Sequence, residues 1–333
     1  MTGFKLALAA AAALLLTSSA LANDSTASLG AGGLVLQRTA GIEMRSEDLY
    51  VSAREIRVQY RFFNRTNRDI STIVAFPMPD VTGRPESDIG VSRDDPTQLT
   101  PFTTTVGGAR VRTYVEQKAF LGAVEHTATL QGLGIPLAPH IEAATAALAR
   151  LPAASARRLI AMGMVEDRGY VDGGVAHPDL APLWTLKTTH YWTQIFPAQR
   201  EIGVDHRCTP ASGGSAGSIV GQTDPAYAEM NEDYARRYCT DRAFIDAARR
   251  RTRQGHYLTE TWVDYVLTTG ANWAEPIGDF RLVVDKGESG NLVSFCGTGV
   301  RKIGPTTFEM RRRNFTPTRD LSVLILHGER LEQ

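Results

Sequence analysis

Hydrophobic and polar positions alternate strictly in "EIRVQYRFFN", residues 55–64. Ile56, Val58, Tyr60 and Phe62 fall on one face, Arg57, Gln59 and Arg61 on the other. A period of two predicts a half-buried strand. After the turn residues of "RTNRD", "ISTIVAFP" predicts a second strand, ended by Pro77 and Pro79. "TTTVGGARVRTYVEQKAF" predicts two more about a Gly107-Gly108 turn. The period then changes. Residues 140–165, rich in Ala and Leu, predict two short helices parting near Leu151-Pro152. Strands return with "LKTTHYWTQIFPAQREIGVDHRC". A second helical stretch follows over 225–253, with Asp224 as N-cap and Pro225 as first helical residue. Tyr227, Met230, Tyr234 and Tyr238 recur there at three- and four-residue steps, the spacing of a core face. From Tyr257 onward the chain is a series of short strands separated by Gly and Pro. The expected class is mainly β with helical insertions (α+β), an antiparallel β-sandwich-like architecture of two packed β units. Residues 23–222 would form the first, with its helical insertion near 140–165. Residues 223–333 would form the second, entered through the 225–253 helices.

The first 22 residues stand outside this pattern. Lys5 precedes an unbroken apolar run from Leu6 to Leu16, and small residues at Ala20 and Ala22 give the A-x-A pattern of a signal peptide. The run is too short for the roughly 20 apolar residues of a membrane helix. Cleavage after Ala22 is expected, and Asn23 in place of Cys argues against a lipid anchor. The chain reads as periplasmic or secreted, with no membrane span after the leader. Lysine plus arginine equals aspartate plus glutamate at 36 each among 333 residues, so nothing points to nucleic acid. The basic run "RRRTR" at 249–253 lies where a helix end favours cations.

Candidate chemistry is sparse. Gly213-Gly214-Ser215-Ala216-Gly217 fits G-x-S-x-G, but the flanking residues offer no strand-to-helix elbow, and "ASGGSAGS" reads as a flexible loop. "LGAGGLVL" lacks the spacing of a phosphate loop. No two of the seven histidines share a metal-ligand spacing, and no cofactor is expected. Cys208, Cys239 and Cys296 allow three pairings, which spacing leaves open. The stretch "HYWTQIFPAQREIGVDHRC", read as a hairpin turning at Pro197 to Arg200, sets Phe196 opposite Glu201. Tyr191, Ile195, Ile202 and Val204 would then face the core. His190, Trp192, Phe196, Glu201, Asp205 and Arg207 would share the other face, as a binding patch or beneath a covering helix. "TTGANWAEPIGDFRLVVDKG", residues 268–287, reads as turns and packing, with Gly270 and Asn272 free to take positive φ and Trp273 closing the end of a sandwich.

The same motifs carry a resemblance. "NDSTASLGAGGLVLQRTAGIEMRSEDLYVS", "VQYRFFNRTNRDISTIVAFPMPD", "TTHYWTQIFPAQREIGVDHRC" and "LTTGANWAEPIGDFRLVVDKGESGNLVSFCGTG" together resemble a bacterial domain-of-unknown-function family, numbered 4424. The resemblance spans the chain after the leader and implies an exported, mostly β protein without assigned catalytic residues. It also implies a disulfide between Cys239 and Cys296, since position 208 is usually aromatic in the family, leaving Cys208 over.

Two functions follow as expectations. The first is a non-catalytic envelope module that binds a protein or polysaccharide partner through His190, Trp192, Phe196, Asp205 and Arg207. The alternative is a hydrolase of cell-wall or glycan material, using paired carboxylates such as Glu201 or Asp205 with Asp264 or Asp279. Such a pair needs to lie roughly 5 to 9 Å apart.

Overall fold

The computed structural model describes residues 23–30, 33–83, 88–90 and 101–330. Residues 1–22, expected to be a leader, lie outside the described residues. An eight-stranded sheet forms one layer. Its inner strands are Ile277–Asp285, Ile42–Ser52, Ile56–Asn64 and Glu201–Cys208, with Thr307–Phe315 beyond one side and Phe102–Val106 beyond the other. A seven-stranded sheet built around Thr185–Phe196 and Ile70–Pro77, and a five-stranded one around His256–Tyr265 and Leu321–Arg330, face it. Inward residues of all three sheets make one core, running from Ile42 and Phe62 through Trp192 to Val263 and Ile325. The architecture is therefore the expected sandwich of antiparallel sheets with helical insertions.

Ile56–Asn64 buries the face its period of two predicts, with Ile56, Val58, Tyr60 and Phe62 all inside. Ile42–Ser52 is less regular. A bulge between Met44 and Ser46 shifts its parity, so Ile42 and Met44 point inward, and then Glu47, Leu49 and Val51 do. Ile277–Asp285 pairs with it in parallel. Strands from both sides of residue 222 thus share one sheet.

The helices occupy the outside. Glu142–Ala149 and Ala153–Ala161 part at Pro152 as expected, and help bury Leu148, Leu159 and Trp184 beside the seven-stranded sheet. The 225–253 stretch is not one helix. A short 3-10 turn capped by Asp224 leads into Ala228–Tyr238, Cys239 takes left-handed φ of 55°, and Asp241 caps a new helix, Arg242–Arg253. Of the aromatic stripe only Tyr238 is fully buried, with Tyr234 packed beside it, while Met230 is exposed. Cys239 is bonded to Cys296, tying this break to the end of Leu292–Phe295. Cys208 is the free, buried thiol, and burial pushes its pKa up to about 12.

Candidate functional site

The five residues expected to form one binding face are divided between two layers. Thr185–Phe196 pairs with Ile70–Pro77, while Glu201–Cys208 lies between Ile56–Asn64 and Phe102–Val106 in the opposite sheet. The turn at 197–200 is a corner between layers, not a hairpin loop. Phe196 pairs with Ile70 and Glu201 with Phe63, instead of with each other. Each strand therefore turns its even-numbered residues to the interior. His190 and Phe196 are buried, Trp192 is 2% exposed, and Ile195, assigned to the core by the hairpin register, is 55% exposed. The cover over Trp192 is the opposing sheet and not a helix. Asp205 and Arg207 alone of the five lie on the outer face of the eight-stranded sheet.

There they join residues that sequence reasoning passed over. Asp48 and Tyr50, Arg57 and Gln59, Asp205 and Arg207, and Thr103 and Thr105 come from four adjacent strands. Period-two alternation places them on one face, where they line an open groove of about 470 Å³. Arg281 forks onto both Asp48 oxygens at 3.0 Å, and Gln59 donates to Asp205 at 3.0 Å. Arg57 and Arg207 each lie 3.0 Å from a Glu55 oxygen, and Arg57 also stands 4.4 Å over the Tyr50 ring. The register sets Asp48, Gln59, Asp205 and Thr105 in one row and Tyr50, Arg57, Arg207 and Thr103 in the next, so an acceptor-rich row lies beside a donor-rich one.

The carboxylate pairs of a hydrolase are not assembled. Glu201 is held by Arg45 and Arg61. Two strands intervene between it and the strand of Asp279, a distance of about 14 Å at the usual strand spacing. Asp264 accepts from Arg237 and Ser322 on the helix-covered side of a different sheet. Ser215 ends a strand, Ser212–Ser215, and donates to the Gly217 carbonyl at 2.7 Å, so the expected loop is a ladder-paired strand without an elbow. Among the described residues no three His, Cys, Asp or Glu side chains are grouped to hold a metal ion.

The most concentrated polar chemistry is inside, where Asn23 and Asp24 have no exposed surface. The Asn23 backbone nitrogen donates to Thr269 Oγ1, and its side-chain nitrogen donates to Glu47 Oε2 at 3.0 Å. Tyr60 donates to Asn23 Oδ1 and shares a 2.9 Å hydrogen bond with Tyr265. Trp273 donates its indole N–H to the Asp24 carbonyl at 2.7 Å, and Asn272 donates to Ser25 Oγ. His206 Nε2 lies 3.0 Å from Asp24 Oδ1, and its Nδ1 meets Thr104 at 2.9 Å. The "TTGANW" segment is thus a cradle for residues 23–25. It forms a 3-10 turn, Thr268–Asn272, with no positive φ at Gly270 or Asn272. Gly270 is needed for close approach: a Cβ there would stand 2.7 Å from Asn23 Nδ2. Trp273 packs as expected, 4.4 Å from Phe62.

Burial governs the titration of this cluster. It pushes Glu47 up to about 8, opposed by the Asn23 hydrogen bond and reinforced by the Asp24 charge. Asp24 is also raised by burial, with His206 pulling the other way. His190, stacked 4.2 Å from Phe102, is lowered to about 4 by burial and then by His206.

The family profile described as "Domain of unknown function (DUF4424)" matches residues 22–324. The chain belongs to this family. The match opens at the segment buried in the cradle, and DUF4424 includes both the "NDS" start and the "TTGANW" turn that holds it. No curated protein matches the sequence. Among solved structures, a candidate nutrient-binding protein from Legionella pneumophila is similar at 15% identity and a TM-score of 0.47, over 92% of this chain and 70% of that one. At that score and identity, no function passes from it to this member of the family.

Proposed function

We propose that this is an exported cell-envelope protein that holds a neutral, hydroxyl-rich polymer, a polysaccharide, in the groove on the outer face of the eight-stranded sheet, without reacting with it. The supporting observation is the lining itself. The strand register lays Asp48, Gln59 and Asp205 in one row and Arg57 and Arg207 in the next, acceptors beside donors on a rigid β support. Vicinal sugar hydroxyls, each both donor and acceptor, complement such an array. The guanidiniums and carboxylates are already paired within the protein, so a strongly charged ligand would have to break those pairs. The A-x-A leader and the Cys239–Cys296 bond accord with a compartment outside the cytoplasm.

Isothermal titration with soluble cell-wall polysaccharide tests the reading. Asp205→Ala and Arg207→Ala should each weaken binding about tenfold or more, the effect of removing one charge-assisted hydrogen bond of about 1.5 kcal/mol. Both residues sit on the surface, so melting temperatures should hardly move. Unchanged binding in both variants would overturn the groove assignment. Release of new reducing ends that Asp205→Ala abolishes would replace it with hydrolysis.

A further inference from the structure

We propose that cleavage between Ala22 and Asn23 completes the protein core, by delivering the α-ammonium group of Asn23 as a buried cation to the Glu47 carboxylate. The outer groove plays no part in this.

The nitrogen concerned already lies inside the buried cluster. Asn23 has no exposed surface, its backbone nitrogen faces Thr269 Oγ1, and its own side chain is bonded to Glu47. Around it, titratable groups come from every packed element: Asp24 beside it, Glu47, Tyr60, His206 and Tyr265. The two acids have one basic neighbour among these, His206, and Asp24 takes it at 3.0 Å. Glu47 is left over. Its Oε1 is buried with no hydrogen-bond partner among the described residues, and an unmatched buried acceptor is costly. A peptide nitrogen brings one N–H and no charge. A terminal ammonium in the same position brings three N–H donors and the missing positive charge.

The chemistry balances. A signal peptidase adds water across the Ala22–Asn23 amide, and the C–N bond breaks. The hydroxyl stays on the Ala22 carbonyl carbon, which leaves with the leader as a carboxylate, and two protons go to the Asn23 nitrogen. The uncut chain keeps a neutral nitrogen and an unmatched Glu47, so its core closes less firmly until the leader is removed.

Amine labelling of protein exported with its own leader tests the docked terminus. At neutral pH an N-hydroxysuccinimide ester should modify the Asn23 amine about a hundredfold more slowly in the folded protein than in urea, because access requires opening of the core. Labelling at the unfolded rate would overturn the proposal. This uses the unaltered protein, so it stands even if a variant fails to fold. A second arm adds one alanine before Asn23, in a chain released from a removable fusion. The extended chain should melt lower and lose stability between pH about 5 and about 8, as Glu47 ionises without its cation. Measured against the chain starting at Asn23, that loss isolates Glu47, because the acid-side titration of His190 is common to both chains. In Glu47→Gln the two chains should melt alike; an equal penalty for the extension with and without Glu47 would refute the pairing.

Discussion

Gly270 has no space for a side chain. A Cβ would meet Asn23 Nδ2 at 2.7 Å and Ile277 Cδ1 at 3.0 Å, both inside the core. Gly270→Ala should therefore cost roughly 1–3 kcal/mol by overpacking, measured by urea unfolding of the mature protein. His190 gives a pH-dependent counterpart. Burial keeps it neutral in the folded chain down to about 4, whereas the unfolded histidine takes up a proton near pH 6.5. The unfolded state thus binds more protons between those values, and stability falls as pH drops from about 6.5 to about 4, by roughly 3 kcal/mol. His190→Phe keeps a ring against Phe102 and should flatten that slope in acid melting curves. Two members of the buried cluster were legible as single residues. His206 shares the parity of Val204 and Cys208, and Glu47 that of Leu49 and Val51, so each is a polar residue on an apolar face. Their partner was not legible, because Asn23 reaches Glu47 and Thr269 through contacts no local pattern encodes.

At the scale of elements, the period of two and the proline break at 152 read correctly from the chain. The corner at residues 197–200 did not. Two amphipathic strands joined by four residues satisfy a hairpin and an interlayer corner equally, and the choice sets whether Trp192 faces water or core. Pairing decides it, through Ile70–Pro77 on one side and Ile56–Asn64 on the other. The helical break at Cys239 was hidden for a related reason: it ends Ala228–Tyr238 in a left-handed cap without the Gly or Asn that signals one in sequence. The Cys239–Cys296 bond closes a separation of 57 residues, stabilising by roughly 4 kcal/mol in the chain-entropy account. Reduction should lower the melting temperature by roughly 6 °C, since an unfolding entropy of about 2.1 cal/mol/K per residue makes the shift about 1.5 °C per kcal/mol at this chain length, and a melt repeated with and without a phosphine reductant measures it. Native Cys208 should stay unmodified by maleimide in both melts' starting samples, because it is buried and its thiol is held protonated.

For the molecule as a whole, the class of fold was legible and the joining of its halves was not. Strands after residue 255 complete the sheet that residues 42–64 begin, an arrangement invisible to periodicity. The proposed leader makes its own prediction at this scale. Intact-mass analysis of periplasmic protein should give a chain starting at Asn23, and a mass retaining Met1 or carrying lipid would contradict it. The parallel pairing of Ile42–Ser52 with Ile277–Asp285 also sets a timetable. A chain exported as proposed, from its first residue, would present the 42–52 strand early, and the strand that covers its free edge would come more than two hundred residues later. Until then that edge is open to neighbouring chains, and the long-range closure is slow. On the proposed export route the emerging protein would need a holding chaperone on the far side of the membrane for most of its passage, and a chain truncated before residue 277 should co-purify with one or aggregate.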